Sequence, residues 1–518
     1  MAVRLVERLP DPAKDCHQPH TGDVLDTPHS PRYGDDAQST VVPSIRFALR
    51  TGEGFGVLMS QQSLSLTEKD RKYFLHPFTA LKAHEDAFTG KVIVSAKDST
   101  LHDEEGASYL DAMAGLWCVN LGYGNPRLQA AIADQVGRLS YYHSFSGMST
   151  DLAARLSERI ISLAPKGMSK VFYGGSGSDA NDTNAKIVWF YNNALGRPEK
   201  KKIISRFRGY HGVTVLSAGL TGLKNLHDGF DLPLPMIRHV RPPHRIWEKA
   251  PGATDAEFSQ TLADELEALI LKEGPETVAA FIAEPMQAAG GVIVPPKEYF
   301  PAIQKVLKKY DVLMIADEVV TGFGRLGSMF GSDLFGIEPD IITVAKGLTS
   351  AYVPLSASII SEKIWQVLRD GSVQYGAFGH GYTYSAHPLA ARCALETLDM
   401  LEEGKYLESN LKKGAYLHQL LQENFADHPL VGEIRGQSLI GAIELVAKKD
   451  PMTPFDPADK IAIRAARRSM ERGVITRALP AADTLAFSPP FVVTEGEIEK
   501  MVTTVRAAVD DIAKEIGR

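Results

Sequence analysis

Five short apolar runs constrain this chain more than any other feature. They are KVFY (170–173), KKIISRF (201–207), VAAFIAEP (278–285), VLMIADE (312–318) and DIITVAKG (340–347). Each is too short for a buried helix and too uniformly apolar for a strand with one wet face. Such runs read as strands covered on both sides. Stretches with helical apolar spacing accompany them, at 126–138, 151–164, from the turn after Tyr173 to about Asn193, 255–273 and 298–309. Alternating strands and helices predict an α/β fold with a mainly parallel sheet. KVIVSA (91–96) reads as a further strand. After about residue 388 the pattern changes to two helical runs, strand character over 431–446, a helix at 459–472, strands VITR (474–477) and TLAFSPP (484–490), and a last helix at 495–516. That mixture predicts a smaller α+β domain.

In an open parallel sheet, ligands bind beyond the carboxyl ends of the strands. Three ends here carry unusual residues. The first strand runs into YGGSGSDANDT (173–183), whose small residues and following helix N-terminus form an anion cradle. Alone, this also matches the GxGxxA turn of nicotinamide enzymes, or a plain tight turn. Asp317 closes VLMIADE, where a carboxylate caps a turn or pairs with a cationic group on a ligand. Lys346 closes an apolar strand before Gly347, where desolvation lowers an amine's pKa and makes it nucleophilic; the ordinary alternative is a snorkelling surface lysine. Together the three residues suit pyridoxal phosphate. The lysine bonds the aldehyde, the carboxylate keeps the pyridine nitrogen protonated and the helix N-terminus holds the phosphate. A dinucleotide would leave Asp317 and Lys346 without a role. It would also need a ribose-binding acid where KKIISRF ends in Arg206, Phe207 and Arg208.

Composition narrows the class further. The 518 residues are 44% hydrophobic and 23% charged with net charge -7, which argues for a globular protein and against nucleic acid as partner. Cys16, Cys118 and Cys393 are far apart, so neither a disulfide framework nor a zinc ribbon is expected, and no metal ligand is assigned. No apolar run reaches the roughly 18 residues of a membrane span, and a cytoplasmic location is expected. Residues 1–60 are rich in Pro, His, Asp, Ser and Thr and show no period, so a disordered extension is expected there. Met59 reads equally well as a natural start.

The ordered set SGSDANDT, RGYHG, AEPMQAAGGV, ADEVVTGFGRLG, AKGLTSAYVPLSA, GYTYSAHP and SPPFVVT resembles the class III aminotransferases from about Leu75 to the C-terminus. Within that family it is most similar to omega-aminotransferases that take pyruvate as acceptor. The resemblance implies a fold-type I pyridoxal-phosphate transferase and a homodimer, or a tetramer, with shared active sites. It implies an extension at 1–60, the N-terminal part of a small domain at 61–110, a large cofactor domain at 111–387 and the rest of the small domain at 388–518. It assigns Lys346 and Asp317 to catalysis, and Ser176, Gly177 and Ser178 to the phosphate. Tyr210 and Val319 fall on the two faces of the cofactor ring. Thr383 matches a threonine reaching the phosphate from the other subunit. Trp117, Phe145 and Tyr382 match the aromatic lining of the substrate pockets, and Arg477 matches a mobile arginine that grips the substrate carboxylate.

Two departures bear on the substrate. Relatives acting on ornithine or gamma-aminobutyrate carry a glutamate that pairs with the mobile arginine, and here that position is Ala289. They also carry a glutamine where this chain has Val320. The expected reaction therefore moves an amino group from an amine or omega-amino acid to pyruvate. Lesser departures are Gly174, Gly175 and Asp179 in the cradle. Rival readings are another keto acid acceptor, a racemase, an aminomutase, a decarboxylating transaminase, a pyridoxal-phosphate-binding regulator and, more distantly, a nicotinamide oxidoreductase.

Overall fold

All five apolar runs enter one seven-stranded sheet. Its order is Met168–Gly174, Ser356–Ser361, Ile341–Val344, Leu313–Asp317, Val278–Ala283, Lys202–Arg206, Ile237–Val240. From Ile341–Val344 to Ile237–Val240 every neighbouring pair is parallel. Ser356–Ser361 runs antiparallel to both of its neighbours. The computed structural model describes residues 64–87 and 90–518, and Leu64–Arg518 form one compact unit. The expected disordered extension and the candidate start at Met59 lie outside the described residues.

Both faces of the sheet are covered, which is why its strands are apolar throughout. Phe281 packs on one face with Phe258, Leu262 and Phe300. Ile282, the next residue, packs on the other with Val188, Ile315 and Ile364. Helices close the layers. Gly177–Ala194 starts at the N-cap Ser176, and Asp255–Glu273 starts in a capping box between Thr254 and Glu257.

The strand Ser356–Ser361 was not legible because three of its six residues are serines, yet all six are buried. Ser356 Oγ donates to Asp179, and Ser358 Oγ donates to the Ala180 carbonyl at 3.2 Å, so the hydroxyls are satisfied by the neighbouring helix. The run 474–477 also differs from its reading as one strand. Val474–Ile475 pairs in parallel with Ser108–Asp111 in one sheet, and Arg477–Ala478 pairs with Thr484–Phe487 in another. Thr476 lies between them, its hydroxyl on the Ala486 carbonyl at 2.7 Å.

Candidate active site

The carboxyl ends of the parallel strands open into a cavity of about 430 Å³ whose lining includes Lys346, Asp317, Trp117, Tyr210, Val319 and Arg477. Gly177 and Ser178, from the start of the Gly177–Ala194 helix, complete one wall. Residues more than 350 positions apart in the chain thus meet where the sheet geometry places ligands.

Asp317 is buried at the last position of its strand. Its Oδ2 accepts from Asn181 Nδ2 at 2.8 Å and from His211 Nδ1 at 2.7 Å, and its Oδ1 accepts from the Val319 N–H at 3.2 Å. A carboxylate only accepts, so the shared proton sits on His211 Nδ1. Lys346 opens the turn after Ile341–Val344 with φ 40°, a left-handed conformation that a lysine adopts only when its surroundings impose it. Burial pushes its ammonium pKa down, and the charge of Arg477 acts in the same sense. Cys118, Asp317 and Glu284 oppose the shift.

Two basic side chains approach Trp117. Its ring centroid is 5.7 Å from Lys346 Nζ and 5.5 Å from Arg477 Cζ. Among the described residues Arg477 forms no ion pair. Burial depresses its pKa, so its charge is held at a desolvation cost that an incoming anion would relieve.

The cradle is shaped by Asp179. Its carboxylate accepts from the N–H groups of Gly175 and Ser176 at 2.9 and 3.0 Å, while Ser176 Oγ accepts from the Asp179 N–H. The first-turn N–H groups of Gly177 and Ser178 precede any helical acceptor and remain for a ligand. A Cβ on Gly177 would meet Val319 Cγ2 at 3.0 Å, and one on Gly212, at φ 132°, would press on Ser178 and Ser217. Bare backbone at both places keeps the anion seat open. The donor set suits pyridoxal phosphate: a desolvated amine, a buried carboxylate and a helix N-terminus, all on one cavity. At the rival dinucleotide position, Arg206 is fully buried and stacked over Tyr299 and Phe300, so no acid is available there for a ribose.

Ser176, the N-cap beside Gly177, is not among the lining residues, and three further expected residues lie outside this cavity. Phe145 is exposed and packs near Gly381. The Tyr382 hydroxyl donates to the Asp179 carbonyl at 3.0 Å and lies 3.1 Å from Thr183 Oγ1. Thr383 is exposed, and its carbonyl accepts from the Tyr141 hydroxyl at 2.8 Å. None of the three reaches its own chain's Lys346 cleft. Conversely, Asn181, His211 and Glu284 line the cleft without having been singled out. All three lie inside motifs already quoted, SDANDT, RGYHG and AEPMQ. Glu284 is buried and accepts the N–H groups of Tyr210 and Ala288 at 3.0 Å each, joining the ring-facing tyrosine to the loop that carries Ala289. Burial pushes its carboxyl pKa up.

The fold and the cleft define a pyridoxal-phosphate transferase. The family described as aminotransferase class-III matches residues 81–509, and the chain belongs to it. An uncharacterized aminotransferase of Sinorhizobium fredii is 51% identical over 88% of this chain and 97% of its own length. A diaminobutyrate–2-oxoglutarate transaminase of Halomonas elongata is 47% identical over 88% and 97%. An omega transaminase from Pseudomonas jessenii, solved in complex with PMP, superposes with a TM-score of 0.86 at 47% identity, covering 88% of this chain and 99% of that one. The protein is therefore a pyridoxal-phosphate-dependent aminotransferase acting on an amine donor and a keto acid. No described helix is long and apolar enough to cross a membrane.

Proposed function

We propose that this aminotransferase moves an amino group from an amine or omega-amino acid to pyruvate, yielding an aldehyde or ketone and alanine. The observation that carries the reading is Arg477. Its guanidinium lines the cleft, rests on an indole instead of a carboxylate, and has Ala289 as a fellow lining residue where a competing glutamate would stand.

Bound at the cleft, pyridoxal phosphate supplies an aldehyde for a primary amine and a ring that takes up the electron pair of the carbon losing its proton. The chain does the rest. The N–H groups of Gly177 and Ser178, with Ser176, hold the phosphate. Tyr210 and Val319 would clamp the ring, and Asp317 would keep its pyridine nitrogen protonated. Lys346 Nζ, whose proton affinity burial lowers, would take the proton from the donor carbon and return it to the carbon that bore the cofactor aldehyde. Arg477 grips the acceptor carboxylate with two parallel N–H donors and withdraws to its indole when an apolar donor enters. Trp117 limits the space beside the reacting carbon. Thr383, Tyr382 and Phe145 serve the cleft of a second copy in a homodimer, which accounts for their position outside their own. We assign residues 61–110 and 388–518 to one lobe and 111–387 to the other, a division supported by the pairing of Ser108–Asp111 with Val474–Ile475.

A second reading, 2-oxoglutarate as acceptor, is favoured by the name of the Halomonas relative. The visible spectrum of the holoenzyme separates the two. Excess amine should bleach the band, and pyruvate should restore it faster than 2-oxoglutarate at equal concentration. Restoration by 2-oxoglutarate alone would overturn pyruvate and keep the family.

A further inference from the structure

Outside the cleft, two clusters of described residues bring histidine and carboxylate side chains within metal-ligand range, Asp70–His76–His84 and His244–Glu433–Glu444. The second already holds a cation. Arg435 Nη1 lies 2.7 Å from Glu433 and 2.6 Å from Glu444, so its guanidinium fills the position an ion would take. At the first, no lysine or arginine pairs with Asp70 among the described residues.

Asp70 lies on the helix Leu66–Tyr73, His76 on the connection that follows, and His84 on the helix Leu81–Asp86. Asp70 Oδ1 is 2.8 Å from His76 Nε2 and 3.4 Å from His84 Nε2, and the two imidazole centroids are 4.3 Å apart. Ligand atoms around a tetrahedral zinc with bonds of about 2.0–2.1 Å lie on the order of 3.3 Å apart, so these separations bracket what a shared ion needs. Two imidazole nitrogens and one carboxylate oxygen are a borderline-soft donor set suited to zinc(II), with a fourth position left for water. The three side chains are 13–23% exposed, open enough for an ion to enter and covered enough to hold it.

The hairpin has reason to need a staple. Neither helix buries a single residue, so apolar packing does little to hold them together. Yet the connection between them carries Pro77 and Phe78 into the lining of the Lys346 cavity. Phe78 sits there at φ 53°, a strained conformation for an aromatic residue. We propose that Asp70, His76 and His84 form a zinc(II)-class site that clamps this hairpin and fixes Phe78 at the cleft. Nothing in the chemistry of the cleft requires the ion.

The test is zinc titration of the full-length holoenzyme by calorimetry, with His84→Gln and His76→Gln as separate variants. Zinc taken up elsewhere, including at Cys16 and the histidines beside it, is common to all three proteins. Retained cofactor absorbance shows that each variant is folded. The parent should bind one more equivalent than either variant, because losing a direct ligand exceeds the roughly 10–100-fold cost of an outer-shell change. Zinc should also slow proteolytic cleavage between residues 74 and 80 in the parent alone. Equal stoichiometry in all three proteins, or cleavage of the parent unchanged by zinc, would overturn the proposal.

Discussion

Replacing Arg477 by leucine tests the acceptor assignment most directly. The side chain lines the cleft, has no ion pair among the described residues and stacks on Trp117 with Cζ 5.5 Å from the ring centroid. A carboxylate gripped by two charge-assisted hydrogen bonds gains about 1.5–3 kcal/mol for each, or about 3–6 kcal/mol together. Leaving the indole forfeits about 1–2 kcal/mol of cation–π attraction. The difference, about 1–5 kcal/mol and centred near about 3, corresponds to roughly 5- to 5000-fold in kcat/KM, centred near roughly 160-fold, at about 1.36 kcal/mol per tenfold. That loss should fall on pyruvate alone. The half-reaction with an uncharged amine, followed by the bleaching of the cofactor band in a stopped-flow mixer, should change by less than about tenfold, since only weak electrostatics link Arg477 to Lys346. Equal losses in both half-reactions would refute the reasoning and remove Arg477 from the acceptor site.

Two further outcomes follow from the buried groups. Lys346→Ala should lose at least about 100-fold in turnover, the low end of what a positioned proton-transfer group supplies, as measured by alanine formation from pyruvate. Appreciable steady-state transamination by that variant would sink the assignment. His239, stacked on Phe207 at 5.3 Å, has its pKa pushed down to about 4 from 6.5 by burial. Between those values the unfolded chain binds a proton that the folded chain does not, so stability falls as pH drops from 6.5 to 4, by at most about 3 kcal/mol for this residue. His239→Phe should therefore show a smaller fall in Tm between neutral and acid pH than the parent, and an identical fall would contradict the linkage.

The legible parts of the chain are those where burial acts on every residue of a segment. Strands covered on both faces had to be apolar, so Val278–Ala283 and Leu313–Asp317 were visible from composition alone. Asp317 and Lys346 stood out because a charge directly after such a run is costly unless it has a use. Ser356–Ser361 stayed hidden because its hydroxyls find partners on a helix some 180 residues earlier, which no local pattern records. Asn181, His211 and Glu284 were missed for the same reason. Each works through a few hydrogen bonds between distant segments, and a lone Asn or His in a sequence is uninformative. Phe145, Tyr382 and Thr383 came from resemblance only, and one chain by itself does not bring them to the cofactor cleft.

The surroundings of Asp317 show how the chain separates shape from charge, and Asp317→Asn exploits this. The two short contacts, from Asn181 and His211, converge on Oδ2 through an amide and an imidazole N–H. Neither partner is a lysine or arginine, so the carboxylate is oriented without a permanent counter-charge and its field is left for a bound ring. In the variant, the amide oxygen can occupy the Oδ2 position and keep both donors. The amide NH₂ then faces only the Val319 N–H, the longest of the three contacts at 3.2 Å. The loss of that contact costs on the order of 1 kcal/mol in stability, and the fold survives. What disappears is the negative charge in a water-poor site, where electrostatic stabilisation of the reacting state is worth roughly 10²–10³-fold. The variant should retain a Tm within a few degrees of the parent and lose turnover by that factor in both half-reactions. A variant that turns over within tenfold of the parent would show that position, not charge, is what Asp317 contributes.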